Sequence, residues 1–270
     1  MSKSKIVMAV VWFFGFVAAA PAQEIVTLST RPGVNQSYFL ASLPKNPQAI
    51  GVLFSGSGGF INLRKEGEQT KFGGDNFLVR SRTEFIKRGI VAAIIDAPSD
   101  YQSGSGMNDE FRLSEGHFTD VSAVVADLSK RFPPLPLFLV GTSRGAISAA
   151  ALGARFAQQV TGVVLTASLF RQSSSRAKEF RPGLSRFDFD TIKVPLLFVH
   201  HVGDQCNETP YSDAARLSDK YPLISVAGGL PPKSIPCEAF SAHGFFGKEA
   251  ETVEEMVNWM LKKPFRTEIK

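Results

Sequence analysis

Residues 135–145, with the sequence LPLFLVGTSRG, decide the fold of this 270-residue chain. An apolar run of strand length ends at Gly141, and the small-residue run 146–152 that follows favours a helix. Ser143 therefore occupies a sharp turn from a strand into a helix. Gly141 and Gly145 lie two residues to either side of it, where any Cβ would collide as strand and helix cross. The stretch predicts a serine hydroxyl held out into a cleft, and the alternative is a tight turn with a surface serine.

Apolar runs of strand length alternate with segments of helical character through most of the chain. The runs are residues 49–54, 90–95, 161–166, 194–199 and 223–227. Helices are expected over 75–88 with Asp75 as cap, over 119–131 with Thr119 and Asp120 as cap, and over 210–220 and 249–261. An antiparallel hairpin over 24–29 and 37–43 precedes them, and 97–116 has the composition of a surface loop near the cleft. This alternation predicts an α/β protein with a mostly parallel sheet, helices on both faces, and functional residues at the carboxyl ends of the strands.

The first 22 residues have the pattern of a secretory signal peptide. Lys3 and Lys5 precede an apolar stretch over residues 6–20, and a small-residue site predicts cleavage after Ala22. A membrane anchor is the alternative, but the stretch is shorter than the roughly 20 residues that span a bilayer. We therefore expect a periplasmic or secreted protein without a stable membrane anchor after cleavage, in which residues 23–270 form a single domain.

The charge of the chain argues against nucleic acid as a partner, because a formal net charge of +5 is small and dispersed. The most basic segment, residues 168–191, is interpreted as a short lid over the edge of the sheet. It contains Arg171, Arg176, Lys178, Arg181 and Arg186, interspersed with phenylalanines. Such a lid would favour an anionic substrate, and a solvated basic loop is the alternative.

A serine hydroxyl is a weak nucleophile at neutral pH, so Ser143 needs a base within hydrogen-bond reach and a third group that orients this base. His243 is the candidate base because its loop follows the last predicted strand. Asp204 follows the preceding strand and is the candidate acid at the same edge of the sheet. The chain order Ser143, Asp204, His243 is that of one hydrolase architecture and differs from the orders of two protease types. Asp96, which also ends a buried strand, is the alternative acid.

The two cysteines, Cys206 and Cys237, are expected to form one disulfide after export into an oxidising compartment. Two free buried thiols are the alternative. Cys206 lies two residues after Asp204 and Cys237 six residues before His243, so a bridge would tie the acid loop to the base loop. On the chain-entropy model it would contribute roughly 3 to 4 kcal/mol.

We expect structural roles for the remaining histidines. One of His200 and His201 is expected to face the core or to steady the acid loop, and His117 is expected to be a surface or capping residue. The spacing of the histidines and acidic residues does not match that of a metal site, so no metal is expected.

With these residues in place, the chain resembles the serine hydrolases of the α/β-hydrolase fold over nearly all of residues 23–270. The residues that carry the resemblance are Gly141-Thr142-Ser143-Arg144-Gly145, Val202-Gly203-Asp204, Ala242-His243-Gly244-Phe245 and Gly56-Ser57-Gly58-Gly59. The resemblance implies a cofactor-free enzyme whose oxyanion hole uses the N–H of Arg144 and an N–H of the loop after an early strand. Ser57 is the first choice for this loop donor and Gly58 the second. Ser55 departs from the pattern, because the lipase form of this loop has histidine before its glycines.

The expected activity is hydrolysis of a small-molecule ester or another acylated substrate through an acyl-enzyme. A serine peptidase or amidase would use the same residues, so it stays an alternative. A second alternative is a non-catalytic binding protein of the same fold.

Overall fold

The computed structural model describes residues 23–67, 69–156, 158–171 and 183–270. The predicted signal peptide, residues 1–22, and the central part of the predicted lid, residues 172–182, lie outside the described residues. Among the helices that are described, none has the length and apolar character needed to cross a bilayer.

Eleven strands are found in the described residues. They are β1 (Glu24–Arg31), β2 (Val34–Leu40), β3 (Ala49–Phe54), β4 (Arg64–Glu66), β5 (Gln69–Lys71), β6 (Ile90–Ile95), β7 (Leu137–Thr142), β8 (Gly162–Thr166), β9 (Leu196–His201), β10 (Leu223–Val226) and β11 (Glu268–Ile269). Nine of them form one sheet in the order β1-β2-β6-β3-β7-β8-β9-β10-β11, while β4 and β5 pair separately. The pairs from β6 to β11 are parallel, and β1 and β2 are antiparallel. The predicted α/β class with a mostly parallel sheet is thus confirmed.

The helices in the described residues are α1 (Phe77–Arg80), α2 (Arg82–Lys87), α3 (Asp109–Arg112), α4 (Glu115–Arg131), α5 (Gly145–Arg155), α6 (Tyr211–Ala215) and α7 (Glu249–Met260). Every residue of β3, β6, β7, β8 and β9 is buried, because helices cover both faces of the sheet. Apolar residues of α4 and α5 pack on one face, and those of α1, α2 and α7 pack on the other.

Three helix predictions were wrong in their boundaries, and one of them, over 210–220, is the shorter α6 (Tyr211–Ala215). The expected helix over 75–88 is two short helices, and its first cap is Asn76 rather than Asp75, because the Asn76 side chain accepts from the N–H of Leu78. The predicted surface loop 97–116 contains α3 and the first two residues of α4. Ser114 caps α4, so this helix begins before the expected cap at Thr119 and Asp120.

The earlier start of α4 corrects the interpretation of His117. This residue is fully buried, not a surface or capping residue. Its ring packs against the rings of Phe54 and Phe111, at centroid distances of 6.2 and 5.5 Å. Burial, together with the charges of Arg112 and Arg31, lowers the pKa of His117 to about 3. Its imidazole is therefore neutral at physiological pH.

The parallel strands place four loops at one edge of the sheet. The segments that follow β3, β7, β9 and β10 all leave from the carboxyl ends of their strands, and these strands lie close together in the sheet order. This edge collects residues that are far apart in the sequence.

Candidate active site

Ser143 lies at the sharp turn between β7 and α5. Its backbone has a φ of 54°, in the left-handed region that L-residues rarely adopt. The turn is fixed by hydrogen bonds from Ser143 N to the Thr166 carbonyl (3.0 Å) and from Ala146 N to the Ser143 carbonyl (3.0 Å). A Cβ on Gly141 would run into the Gly145 backbone, and one on Gly145 would run into the end of β3. Both glycines are therefore required for this crossing of strand and helix.

Asp204 and His243 meet at the same edge of the sheet. Asp204 follows β9, and His243 lies in the short 3-10 turn Ala242–Gly244 that follows β10. The distance from His243 Nδ1 to Asp204 Oδ2 is 3.0 Å. The other carboxylate oxygen of Asp204 accepts from the N–H of Cys206 at 2.9 Å. Because Nδ1 is engaged with the carboxylate, Nε2 is the nitrogen of His243 that is left for a reaction partner.

Thr209 completes this pair and was not found from the sequence. It is fully buried, and its Oγ1 lies 2.8 Å from Asp204 Oδ2 and 3.0 Å from His243 Nδ1. A hydroxyl carries one proton. When Thr209 donates this proton to Asp204, it can only accept from His243, so the three groups favour the tautomer of His243 with a proton on Nδ1. A threonine five residues after the acid belongs to no distinguishing motif, so it could not be identified from the sequence alone.

Cys206 and Cys237 form a disulfide-capable pair, with Cα atoms 4.7 Å apart. Cys206 is the residue whose N–H binds the Asp204 carboxylate, and Cys237 lines the same cavity as His243. The pair thus connects the loop of the acid with the loop of the base.

One cavity of about 290 Å³ contains the predicted nucleophile and the predicted base. Polar residues in its lining are Ser55, Ser57, Asp75, Asn76, Thr142, Ser143, Ser234, Glu238 and His243, and apolar ones include Phe60, Ile61, Phe77 and Phe240. Among the described lining residues the charged side chains are the carboxylates Asp75 and Glu238, and there is no lysine or arginine. Although Ser143 and His243 share the cavity, their side chains are not hydrogen-bonded to each other within the described residues.

The loop after β3 forms a tight turn along the wall of this cavity. Gly59 N donates to the Gly56 carbonyl at 2.9 Å, and Ser57 has a φ of 47°. Since a trans peptide is planar, the N–H of Ser57 points away from the Gly56 carbonyl, and this N–H has no acceptor among the described residues. The Gly58 carbonyl accepts from Met107 N, and Gly58 is not among the residues that line the cavity.

Arg112 holds this loop from the protein interior. Its side chain is fully buried, and its Nη2 donates to the Ser57 carbonyl at 3.0 Å while Nη1 donates to Ser148 Oγ on α5 at 2.8 Å. Burial and the nearby Arg144 lower the pKa of Arg112 to about 9, and Asp109 opposes this shift. The guanidinium therefore stays mostly protonated at neutral pH.

A buried ion pair adjoins Arg112. Arg144, the residue after Ser143, lies 3.2 Å from Asp109 through its Nε. Burial raises the pKa of Asp109, whereas the charges of Arg144 and Arg112 lower it. This group of charges was not predicted, because the composition of residues 97–116, which include α3, favours a surface loop.

Asp96, the alternative acid, has a structural role in the described residues. Its buried carboxylate accepts from the N–H groups of Ile61 (2.6 Å), Leu63 (3.2 Å) and Ala97 (2.9 Å). It orders the segment that follows the β3 loop, while the carboxylate that contacts His243 belongs to Asp204.

Both histidines beside the acid loop have structural contacts. His200 is buried, and its Nε2 accepts from Ser168 N at 2.9 Å. Burial lowers its pKa to about 3, since the opposing effect of Asp204 is smaller. His201 accepts from the N–H of Gly203 at 3.0 Å and steadies the loop in front of Asp204.

The described part of the predicted lid binds the body of the protein through Arg171. Its guanidinium makes two hydrogen bonds to Asp213, at 2.6 and 2.9 Å. The pKa of Asp213 is lowered chiefly by this contact. Arg176, Lys178 and Arg181 lie outside the described residues.

The strand order, with helices on both faces of the sheet, is that of the α/β-hydrolase fold. A family model described as serine aminopeptidase S33 matches residues 101–188, a segment that includes Ser143 and both of its flanking glycines. No curated protein matches the sequence.

Solved structures of the same fold include several esterases. Est1E from Butyrivibrio proteoclasticus is 15% identical with a TM-score of 0.56, and the match covers 88% of this chain and 98% of that one. A serine hydrolase without a lid from Xanthomonas campestris is 15% identical, with a TM-score of 0.55 and coverage of 87% and 95%. A cold-adapted esterase from an Arctic intertidal metagenomic library is 13% identical, with a TM-score of 0.54 and coverage of 89% and 93%. At this identity the similarity establishes the α/β-hydrolase fold.

Proposed function

We propose that this protein is an exported serine hydrolase that cleaves carboxylic esters through an acyl-enzyme. Ser143 is the nucleophile, His243 the general base and Asp204 the group that orients His243. The observation that carries the proposal is the hydrogen bond between Asp204 and His243 at the cavity where the strained turn presents Ser143. Hydrogen bonds between nucleophile and base commonly tighten when substrate binds, so the lack of one between Ser143 and His243 is compatible with this assignment.

The reaction proceeds in two halves. Nε2 of His243 takes the Ser143 proton while Oγ attacks the acyl carbon, and the carbonyl oxygen becomes an oxyanion. When this intermediate collapses, the proton on His243 passes to the departing alcohol and the acyl group stays on Oγ. Water then loses a proton to His243 and attacks the acyl carbon, and the Ser143 oxygen leaves with that proton. The products are the alcohol and the carboxylic acid.

The oxyanion is stabilised by the N–H groups of Arg144 and Ser57. Ser57 is preferred to Gly58 because Ser57 lines the cavity and its N–H lacks an acceptor in the described structure. The peptide before Ser57 is fixed because the Gly56 carbonyl accepts from Gly59 N. The peptide after Ser57 is fixed because the Ser57 carbonyl accepts from Arg112. A donor that is held in place before the reaction costs no reorganisation, and each is worth about 3 to 4 kcal/mol of barrier.

The substrate proposed here is a small, uncharged ester. The described cavity wall carries Asp75 and Glu238 but no lysine or arginine, and Arg171 is engaged with Asp213. Like charges at this wall would repel an anionic substrate. We therefore propose no preference for anionic substrates.

Amide hydrolysis at an amino-terminal residue is the second candidate. It is favoured by the partial match to the serine aminopeptidase model and by the same two carboxylates, which could accept from a substrate ammonium group. Comparing p-nitrophenyl acetate and butyrate with aminoacyl p-nitroanilides separates the two activities. Faster turnover of the anilides would assign the protein as an aminopeptidase.

A fluorophosphonate probe tests the shared mechanism. We expect labelling of the wild type and of Ser218→Ala, an exposed-serine control, and no labelling of Ser143→Ala. A wild type that is neither labelled nor active on either substrate class would favour a binding protein. Sequencing the amino terminus of the protein recovered outside the cytoplasm tests export, and a start at Gln23 is expected.

A further inference from the structure

The side-chain amide of Asn76 lies beside the predicted nucleophile. An ideal Cβ built on Gly56 would be 3.0 Å from Ser143 Cβ and 3.4 Å from Asn76 Nδ2. The side chains of Asn76 and Ser143 therefore both border the space that a Cβ of Gly56 would fill. Both Asn76 and Ser143 line the cavity.

The orientation of this amide is set by its role as the cap of α1. Asn76 Oδ1 accepts from the N–H of Leu78 at 3.1 Å. The opposite orientation would place an NH₂ group against an N–H donor, so the hydrogen bond identifies which atom is oxygen. The NH₂ group is therefore the end that faces Gly56. Within the described residues, Nδ2 donates to no protein acceptor.

The segment that carries Asn76 is fixed to the loop of His243. The rings of Phe77 and Phe245 lie 4.7 Å apart, and Arg80 donates to the Gly244 carbonyl while it binds Glu249 at 2.9 Å. These contacts hold the segment of Asn76 against the loop of His243. A donor held in this way meets the requirement for stabilising charge that develops during a reaction.

We propose that Asn76 Nδ2 is a third donor to the oxyanion formed at Ser143, in addition to the N–H groups of Ser57 and Arg144. The inference rests on the serine hydrolase function proposed above. A neutral amide suits this role because it donates to the anion without transferring a proton. The amide also adds no positive charge to the cavity, so it does not strengthen binding of the uncharged ester before the oxyanion forms.

Asn76→Asp distinguishes this role from capping alone. An aspartate caps a helix as well as asparagine does, but it carries no N–H donor and places a negative charge beside the oxyanion. We expect an unchanged Tm, a kcat at least 100-fold lower on p-nitrophenyl acetate, and a KM within about threefold of the wild type. Asn76→Ala, which loses both the cap and the donor, should lower Tm as well as kcat.

Asn108→Asp is the matched control. Asn108 caps α3 through the same type of bond, accepting from Phe111 N at 2.8 Å, and it does not line the cavity. This variant should keep kcat within about twofold of the wild type. A trifluoromethyl ketone, whose hemiketal anion resembles the oxyanion, should bind Asn76→Asp more weakly in proportion to the loss in kcat/KM.

The outcomes separate the two proposals. If wild type turns over the ester, Ser143→Ala does not, and Asn76→Asp retains wild-type kcat, the role of Asn76 is refuted while the hydrolase stands. A loss of kcat in Asn76→Asp that only parallels a loss of Tm would also refute it. An inactive, unlabelled wild type removes both proposals.

Discussion

The two sides of the cavity are built in different ways. On the acid–base side, Asp204, His243 and Thr209 bind one another directly, and the Cys206–Cys237 pair connects their loops. On the opposite side, the β3 loop is held by its own backbone turn and by a buried cation, Arg112, that does not line the cavity.

This difference decides how each side should respond to substitution. On the acid–base side the proposed reacting groups are also the structural contacts, so a change there alters the chemistry itself. On the β3-loop side the support comes from residues behind the wall, so a change there should alter the position of a donor and leave the nucleophile and base intact. The variants below test this contrast.

Asp204→Asn should have the largest effect. The amide cannot replace the carboxylate as acceptor from Cys206 N–H, Thr209 and His243 at once, and it favours the wrong tautomer of the imidazole. We expect kcat to fall about 10⁴-fold, as in triads of this type, with KM little changed. Ester turnover and the rate of fluorophosphonate labelling measure it.

Asp190→Asn is the control for this prediction, because Asp190 is an exposed carboxylate bound to Lys220 and Tyr221. It should retain wild-type kcat. A loss below tenfold in Asp204→Asn would show that the structural contact with His243 is not the catalytic one, and would direct the search for the acid elsewhere.

Removal of the disulfide should have the next largest effect when effects are compared as free energies, and this effect falls mainly on the stability of the fold. For a double Cys206→Ser and Cys237→Ser variant, the bridge across 31 residues predicts a loss of roughly 3 to 4 kcal/mol in the free energy of unfolding. Because Cys206 N–H also binds Asp204, we expect kcat to fall several-fold while the β3 loop keeps its structure. Urea unfolding with and without dithiothreitol measures it, and an unchanged midpoint for the reduced wild type would contradict a stabilising bridge.

The proposed reacting residues of the acid–base side were also the ones that could be predicted from the sequence. Ser143, Asp204 and His243 follow apolar runs whose burial is visible in the sequence, and a parallel sheet brings their loops to one edge. Strands β3 and β6 begin and end at the predicted residues for the same reason.

The residues that support the β3-loop side were not predictable in this way, although the loop itself was predicted. Arg112 lies in a polar segment whose composition favours a surface loop, and only the packing of α3 against α5 and the β3 loop buries its guanidinium. The cap at Asn76 was missed because Asp75, an equally good cap, precedes it directly. Local sequence gives no information about which of two adjacent caps a tertiary contact selects.

Arg112→Met should reduce activity about 10- to 100-fold. The Ser57 carbonyl would lose its donor, so only the contact from Gly59 would still hold the backbone at Ser57, and its N–H would be aligned less well with the oxyanion. This is a partial loss of one donor's contribution. Arg112 is a positioning residue, so we expect the loss in kcat with KM unchanged, and partial recovery in Arg112→Lys.

Ser148→Ala is the matched control for Arg112. It removes the other hydrogen bond of the guanidinium and leaves the one to Ser57. Activity should stay within about threefold of the wild type. If Ser148→Ala and Arg112→Met lose the same activity, or if kcat falls only as Tm falls, the arginine acts through general stability and the contrast between the two sides is wrong.

The smallest effect concerns two buried histidines, one near each side. His117 lies near Arg112, and neither of its ring nitrogens has a hydrogen-bond partner in the described structure, whereas His200 accepts from Ser168 N. At pH 7.5, the free energy of unfolding of His117→Phe should therefore equal that of the wild type or exceed it by about 1 kcal/mol. His200→Phe should lower it, because the Ser168 N–H loses its acceptor.

The pH dependence follows from the pKa of about 3 that burial gives both residues. An unfolded histidine titrates near 6.5. Between pH 6.5 and 3 the unfolded chain binds a proton that the folded chain does not, so stability is fully present above pH 6.5 and falls as pH is lowered. The slope per histidine is about 1.4 kcal/mol per pH unit. Either phenylalanine variant should reduce this slope by the contribution of one proton. The slope is measured as the free energy of unfolding in urea at a series of pH values between 7.5 and 5. An unchanged slope in His117→Phe would show that this imidazole titrates in the folded protein as it does in the unfolded chain, which contradicts its burial beside Arg112.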